Sequence, residues 1–234
     1  MNERQQDLLQ IIISQYIKTA QPVSSNFITQ AGSFDLSSAT IRNEMADLED
    51  QGYIYHPHTS AGRVPTEKGY QFFVSNFLSD SKLSKKQQEF LDKLVGQYKT
   101  FEPLALKELA KGISEFCNGA VFVAFSDNDF YYTGISNLFS QPEFAEQKVV
   151  YNLSRVIDHL DLVINKIFDD IDSQVEVLVG SQNRFAKDCS SIMTKYQAKN
   201  GSGLLGILGP LRMDYQNNFS LIKYSQGLIN RLGN

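Results

Sequence analysis

Apolar residues recur every three to four positions near the start of the chain. Leu8, Leu9, Ile12, Ile13, Tyr16 and Ile17 fall on one stripe, which predicts an amphipathic helix. Pro22 ends that pattern, and Ser24 is placed to cap a short second helix carrying Phe27, Ile28 and Ala31, closed by Gly32. Phe34-Asp35-Leu36 is too short for a helix and reads as a small strand. Ser37 caps a third helix, with Ile41, Met45 and Leu48 inward and Arg42, Asn43, Asp47 and Asp50 outward, and Gly52 suits the residue just past its end. Tyr53 to His56 is an aromatic and β-branched run of strand type, Pro57 to Gly62 is turn chemistry, and Arg63-Val64 returns. Thr66 caps a further helix through Phe77. Helix, helix, short strand, helix, hairpin, helix is the layout of a winged helix-turn-helix.

A polar stretch, Ser79 to Lys86, divides the chain into a domain of residues 1–80 and another of residues 81–234. The second opens with linker helices over about residues 84–117, with Pro103 suited to a first turn. Ala120 to Phe125 and Phe130 to Leu138 then read as strands. Pro142 begins a long helical pattern reaching Ile167. Val175 to Val179, Cys189 to Tyr196 and Leu204 to Leu208 are three more strands, and Asp214 caps a last helix. The predicted class is α+β, an antiparallel sheet with helices packed on it.

Composition narrows the function classes. The 234 residues are 42% hydrophobic and 21% charged, the balance of a globular protein. No apolar run approaches the ~18 residues of a membrane span, and no basic cluster with an apolar core opens the chain, so a soluble cytoplasmic protein is expected. Cys117 and Cys189 are too few for a disulfide framework or a Cys-rich zinc site and read as small buried residues. His56 and His58 lack further ligands, so no metal is expected. No nucleophile elbow, phosphate loop or dinucleotide fingerprint is present, so neither an enzyme nor a cofactor is expected.

Two segments carry candidate chemistry. In the third helix, Ser37, Ser38 and Thr40 let the helix end approach a DNA groove closely, Arg42 can fork onto guanine and Asn43 onto adenine. An alternative use of Arg42 is a pair with Glu49 or Asp50. In the hairpin, His58, Thr59, Ser60 and Arg63 offer polar and cationic groups to backbone or minor groove. Charge works against a polyanion partner. The net charge is −4, and residues 1–78 hold five cations and eight anions, or −3. Binding must rest on a few placed cations, with a shallow salt dependence.

The run from Leu36 to Glu49, continued by Gly52-Tyr53-Ile54 and by Pro57 through Tyr70, resembles the heat-inducible transcription repressor HrcA family. Ala20 to Val23, Leu138-Phe139 with Gln141 to Phe144, and Ile207 through Tyr215 extend the resemblance into both halves. It implies a winged helix followed by a GAF-like domain, repression of chaperone operons through an inverted-repeat element called CIRCE, action as a homodimer on double-stranded DNA, and modulation by the chaperonin GroEL. In that family a dimerising segment is inserted in the second domain. Here Gly119 to Phe125 runs almost directly into Phe130, so the insert is expected to be absent and the dimer to use another surface, either the helices of residues 85–117 or the long helix after Pro142. Two other classes remain: a winged-helix regulator gated by a small molecule in its second domain, and a protein-interaction module.

Overall fold

The computed structural model describes residues 1–232 apart from Ser33, Asp35, Thr59, Ser60, Asp127, Asn128, Glu146, Lys199 and Asn200. Two compact units are present, Met1–Leu78 and Ser79–Asn234.

In the first unit, α1 (Glu3–Thr19) begins at a capping box between Asn2 and Gln5, and α2 (Ser25–Gln30) at Ser24, whose hydroxyl accepts from the Phe27 amide. The third helix, α3 (Ser38–Asp50), is capped by Ser37, and Gly52, at φ 77°, ends it. A two-stranded antiparallel wing follows, β1 (Ile54–Tyr55) against β2 (Val64–Pro65), then α4 (Glu67–Phe77), capped by Thr66. Leu8, Leu9, Ile12, Ile13, Ile28, Ile41, Leu48 and Ile54 are fully buried and form the centre of this unit. The elements follow as three helices, a two-stranded hairpin and a fourth helix.

Of the strand expected at Phe34 to Leu36, the two described residues, Phe34 and Leu36, lie in bends, and Asp35 lies outside the described residues. The wing's extra pairing comes from Val23 instead, bridged to Arg63 by amide–carbonyl bonds of 2.9 and 2.8 Å. Gly62 makes that approach possible. A Cβ there would stand 2.4 Å from the carbonyl carbon and oxygen of Val23.

The second unit opens with α5 (Lys85–Val95) and α6 (Pro103–Cys117), packed on each other. Five strands form one antiparallel sheet: β3 (Ala120–Ala124), β4 (Phe130–Thr133), β5 (Glu176–Val179), β6 (Cys189–Ala198) and β7 (Gly201–Pro210), in the order β4-β3-β7-β6-β5. One face meets α6 and α10 (Tyr215–Leu232). The other carries Phe122, Met193, Leu204 and Leu208 against α7 (Ile135–Phe139), α8 (Gln147–Asp158) and α9 (Leu160–Ile167), through Leu138, Leu153, Leu160, Ile164 and Ile167. Cover on both faces explains why β3 reads as an unbroken apolar run and not as an alternation.

Two expected elements end early. Phe130 to Leu138 is strand only to Thr133, because Gly134 takes a left-handed conformation (φ 76°) beside the Gly119 carbonyl and turns the chain into α7. The long pattern after Pro142 divides into a 3₁₀ turn at Pro142–Phe144, then α8 and α9 on either side of His159. The apolar spacing runs on across that break, so periodicity alone reads through it.

Candidate nucleic-acid interface

The first turn of α3 is locally built. Ser37 accepts from the Thr40 amide at 3.1 Å, and its hydroxyl lies 2.9 Å from that of Thr40. Ser38 donates to Oδ1 of Asn26 at 2.6 Å. Its own proton is thereby taken, so Ser25, 3.1 Å away, donates to Ser38. A directed chain, Ser25 to Ser38 to Asn26, ties α2 to α3.

Arg42 and Asn43 are exposed and make no hydrogen bond or ion pair among the described residues. The pairing of Arg42 with Glu49 or Asp50 does not form. Three of the four carboxylates of α3 are tied elsewhere: Glu44 to Arg4, Asp47 to Gln5 at 3.4 Å, and Glu49 to the wing; the fourth, Asp50, is exposed at the helix's C-terminal end. Two residues of α1 thus draw two of the helix's negative charges toward themselves.

Glu49 joins three groups. One oxygen meets Nη2 of Arg63 at 2.9 Å; the other accepts from the His56 amide at 2.9 Å and lies 3.0 Å from its Nδ1. Arg63 is therefore not an outward cation at the tip of the wing, as its place in the sequence suggested. It is 8% exposed, its backbone is paired with Val23, and its guanidinium braces the hairpin against α3. His58 is exposed, and its carbonyl accepts from the Ala61 amide within the turn. Thr59 and Ser60 lie outside the described residues.

Between α2, α3 and the wing lies a cleft of about 450 Å³, lined by Ser24, Ser25, Asn26, Arg42, Met45, His56, Ala61, Gly62 and Arg63. Among the described residues, no carboxylate lines it. Asn26 and Ser24 were not candidates from the sequence. The one available signal was the cap signature at Ser24, which marks a helix start and nothing more.

In the second unit, the Gly209 to Tyr215 turn is held from within. Arg212 reaches Glu143 through two bonds, of 2.5 and 3.3 Å, and Gln141 at 3.0 Å. The Tyr215 hydroxyl donates to the Leu211 carbonyl at 2.6 Å and meets Ser190 at 2.8 Å, while Asp214 caps α10 at the Asn217 amide. Burial pushes the thiols of Cys117 and Cys189 up to about 12. Among the described residues, no helix is long and apolar enough to cross a membrane.

Comparison with known proteins places this geometry in context. The family described as HrcA protein C-terminal domain matches residues 68–218. A heat-inducible transcription repressor HrcA of Natranaerobius thermophilus is 55% identical over 102 residues, 44% of this chain and 29% of that one. One of Clostridioides difficile is 25% identical over 336 residues, covering 99% of each chain. A crystal structure of a hypothetical protein matches with a TM-score of 0.79 at 18% identity, over 99% of this chain and 98% of that one, and shares its fold.

Proposed function

The chain belongs to the HrcA family of heat-inducible transcription repressors, and from that premise we propose that it binds an inverted-repeat operator of the CIRCE kind. In this reading α3 enters the major groove and the β1–β2 wing lies on the adjacent backbone or minor groove. Two copies bind as a homodimer in the cytoplasm, and GroEL sustains their activity. The observation that carries the reading is the outer face of α3. It presents Arg42 and Asn43 unpaired among the described residues, while three of its four acidic residues, Glu44, Asp47 and Glu49, are tied to α1 or to the wing and the fourth, Asp50, lies two turns on from Arg42 at the helix's C-terminal end. A helix that reads DNA needs donors facing outward and no carboxylate between them and the phosphates. Asn43 is the base reader in this scheme, and Ser37 and Thr40 set how closely the helix end approaches.

The dimer needs a surface of its own. The 336-residue match to the Clostridioides difficile repressor is about 100 positions longer than this chain, which supports loss of an internal segment. The helices α5 and α6 are the proposed substitute, and the groove between them is lined by Phe90, Leu94 and Phe116.

Fluorescence anisotropy on a CIRCE duplex and a scrambled duplex of equal composition tests the reading. A preference of ~10³-fold with two copies per duplex is expected. Absence of binding at every salt concentration would point to an interaction module instead. For the chaperonin, operator binding after a heat challenge should persist longer with GroEL present than without it.

A further inference from the structure

We infer that the cleft between α2, α3 and the wing seats one backbone phosphate of the bound DNA, and that Arg42 grips the strand there with Asn26 in place of forking onto a guanine. The inference rests on the DNA-binding reading above and deepens it.

Three observations lead to it. The first is charge. The unit as a whole carries −3, yet among the described residues the cleft is lined by two arginines, a histidine and no carboxylate. The Arg63 charge is matched by Glu49, so Arg42 gives the cleft an uncompensated positive charge.

The second is hydrogen-bond polarity. Oδ1 of Asn26 receives the Ser38 proton, and both Nδ2 protons are left without an acceptor among the described residues. The Ser24 oxygen accepts from the Phe27 amide, which leaves its O–H proton to donate. Arg42 has only donors. The free capacity of Ser24, Asn26 and Arg42 is thus a set of donors, which suits a phosphate, whose oxygens only accept.

The third is position. With a helix in the major groove and a wing in the neighbouring minor groove, the strand dividing the two grooves must cross the notch between helix and wing. Arg42 lines that notch. Asn43, the next residue of α3, does not line it, so the two neighbouring side chains face different parts of the duplex.

The test uses the whole chain and CIRCE duplexes in which single phosphates are replaced, one at a time, by neutral methylphosphonate. Three proteins are compared: wild type, Arg42→Ala and Asn26→Asp. The last keeps an oxygen for Ser38 while removing both amide donors and adding a negative charge. On the unmodified duplex, Arg42→Ala should lose about tenfold in affinity, equally for operator and scrambled DNA, and flatten the salt slope by about one. At one methylphosphonate position in each half-site, wild type should weaken similarly and Arg42→Ala should lose nothing further. Asn26→Asp should weaken binding without changing base preference. Both residues are exposed, so melting curves should not move. Arg42→Ala that relaxes preference at one base pair, with unchanged salt slope and full penalties on every modified duplex, would make Arg42 a base contact. That outcome overturns the inference and leaves DNA binding intact. Failure of wild type to bind either unmodified duplex overturns the DNA-binding reading and the inference with it.

Discussion

Replacing Arg63 by Ala should weaken DNA binding although Arg63 touches no DNA in this account. Its Nη2 lies 2.9 Å from Oε2 of Glu49, with the two side chains 10% and 29% exposed. At an effective dielectric of about 20 the gross attraction is about 6 kcal/mol, most of it offset by taking the guanidinium out of water. Glu49 keeps nearly a third of its surface wet and its other oxygen stays bonded to the His56 amide, so on losing Arg63 its charge is only partly uncompensated. The net loss of stability is then about 2 kcal/mol, between the values for exposed and for buried pairs. A second cost falls on DNA. The freed carboxylate lies on the reading helix seven residues from Arg42, about 10 Å along the axis, and brings negative charge near the phosphates. Urea denaturation followed by circular dichroism reads the first effect, and operator anisotropy the second. In the double variant Arg63→Ala with Glu49→Gln the orphan charge is gone, and at least half of the lost binding energy should return. If Arg63→Ala binds weakly at unchanged stability, and Glu49→Gln restores nothing, Arg63 is a DNA contact and the bracing argument fails.

Other perturbations have equally definite outcomes. Gly62→Ala forces a methyl to within 2.4 Å of Val23 backbone atoms, which cannot rotate away; a cost of about 1–3 kcal/mol and a displaced wing should appear as a lower melting temperature and weaker operator binding. Asn43→Ala should relax preference at one A·T pair by about 1–3 kcal/mol while leaving scrambled DNA unaffected, as a panel of singly substituted operators would report. Cys117 and Cys189 should resist iodoacetamide at pH 8 in the native chain and react on unfolding. Because their folded pKa is raised from 9.0 to about 12, the unfolded chain ionises first as pH rises, so their contribution makes stability fall above about pH 9. Arg212→Ala strands Glu143 and should cost about 2 kcal/mol, seen as a melting temperature lower by roughly 4–8 °C.

Local chemistry was legible in the sequence where the structure obeys local rules. The caps Ser24, Ser37, Thr66 and Asp214 act through their own neighbours, so spacing suffices to find them. The outward direction of Arg42 and Asn43 follows from helical period against Ile41, Met45 and Leu48. What the pattern could not show depends on distant partners. Val23 supplies the wing's extra bridge 40 residues away along the chain, and no local signal marks it. Arg63 sits in a polar hairpin and reads as an outward cation; only the arrival of Glu49 from α3 turns it inward. Gly134 ends β4 because a neighbouring backbone and a left-handed turn coincide there, whereas the aromatic run around it suggested a longer strand.

The tethering of the α3 carboxylates has a consequence for how such a protein searches a genome. A repressor with a broadly basic surface adheres to all DNA and is diluted over an immense number of irrelevant sites. Here Arg4, Gln5 and Arg63 hold Glu44, Asp47 and Glu49, while the unit as a whole remains negative. For the proposed DNA complex this implies weak long-range attraction to any duplex and favourable contact only once α3 is seated. On the proposed function, fewer molecules would be held at irrelevant sites and more would be left free for the operator.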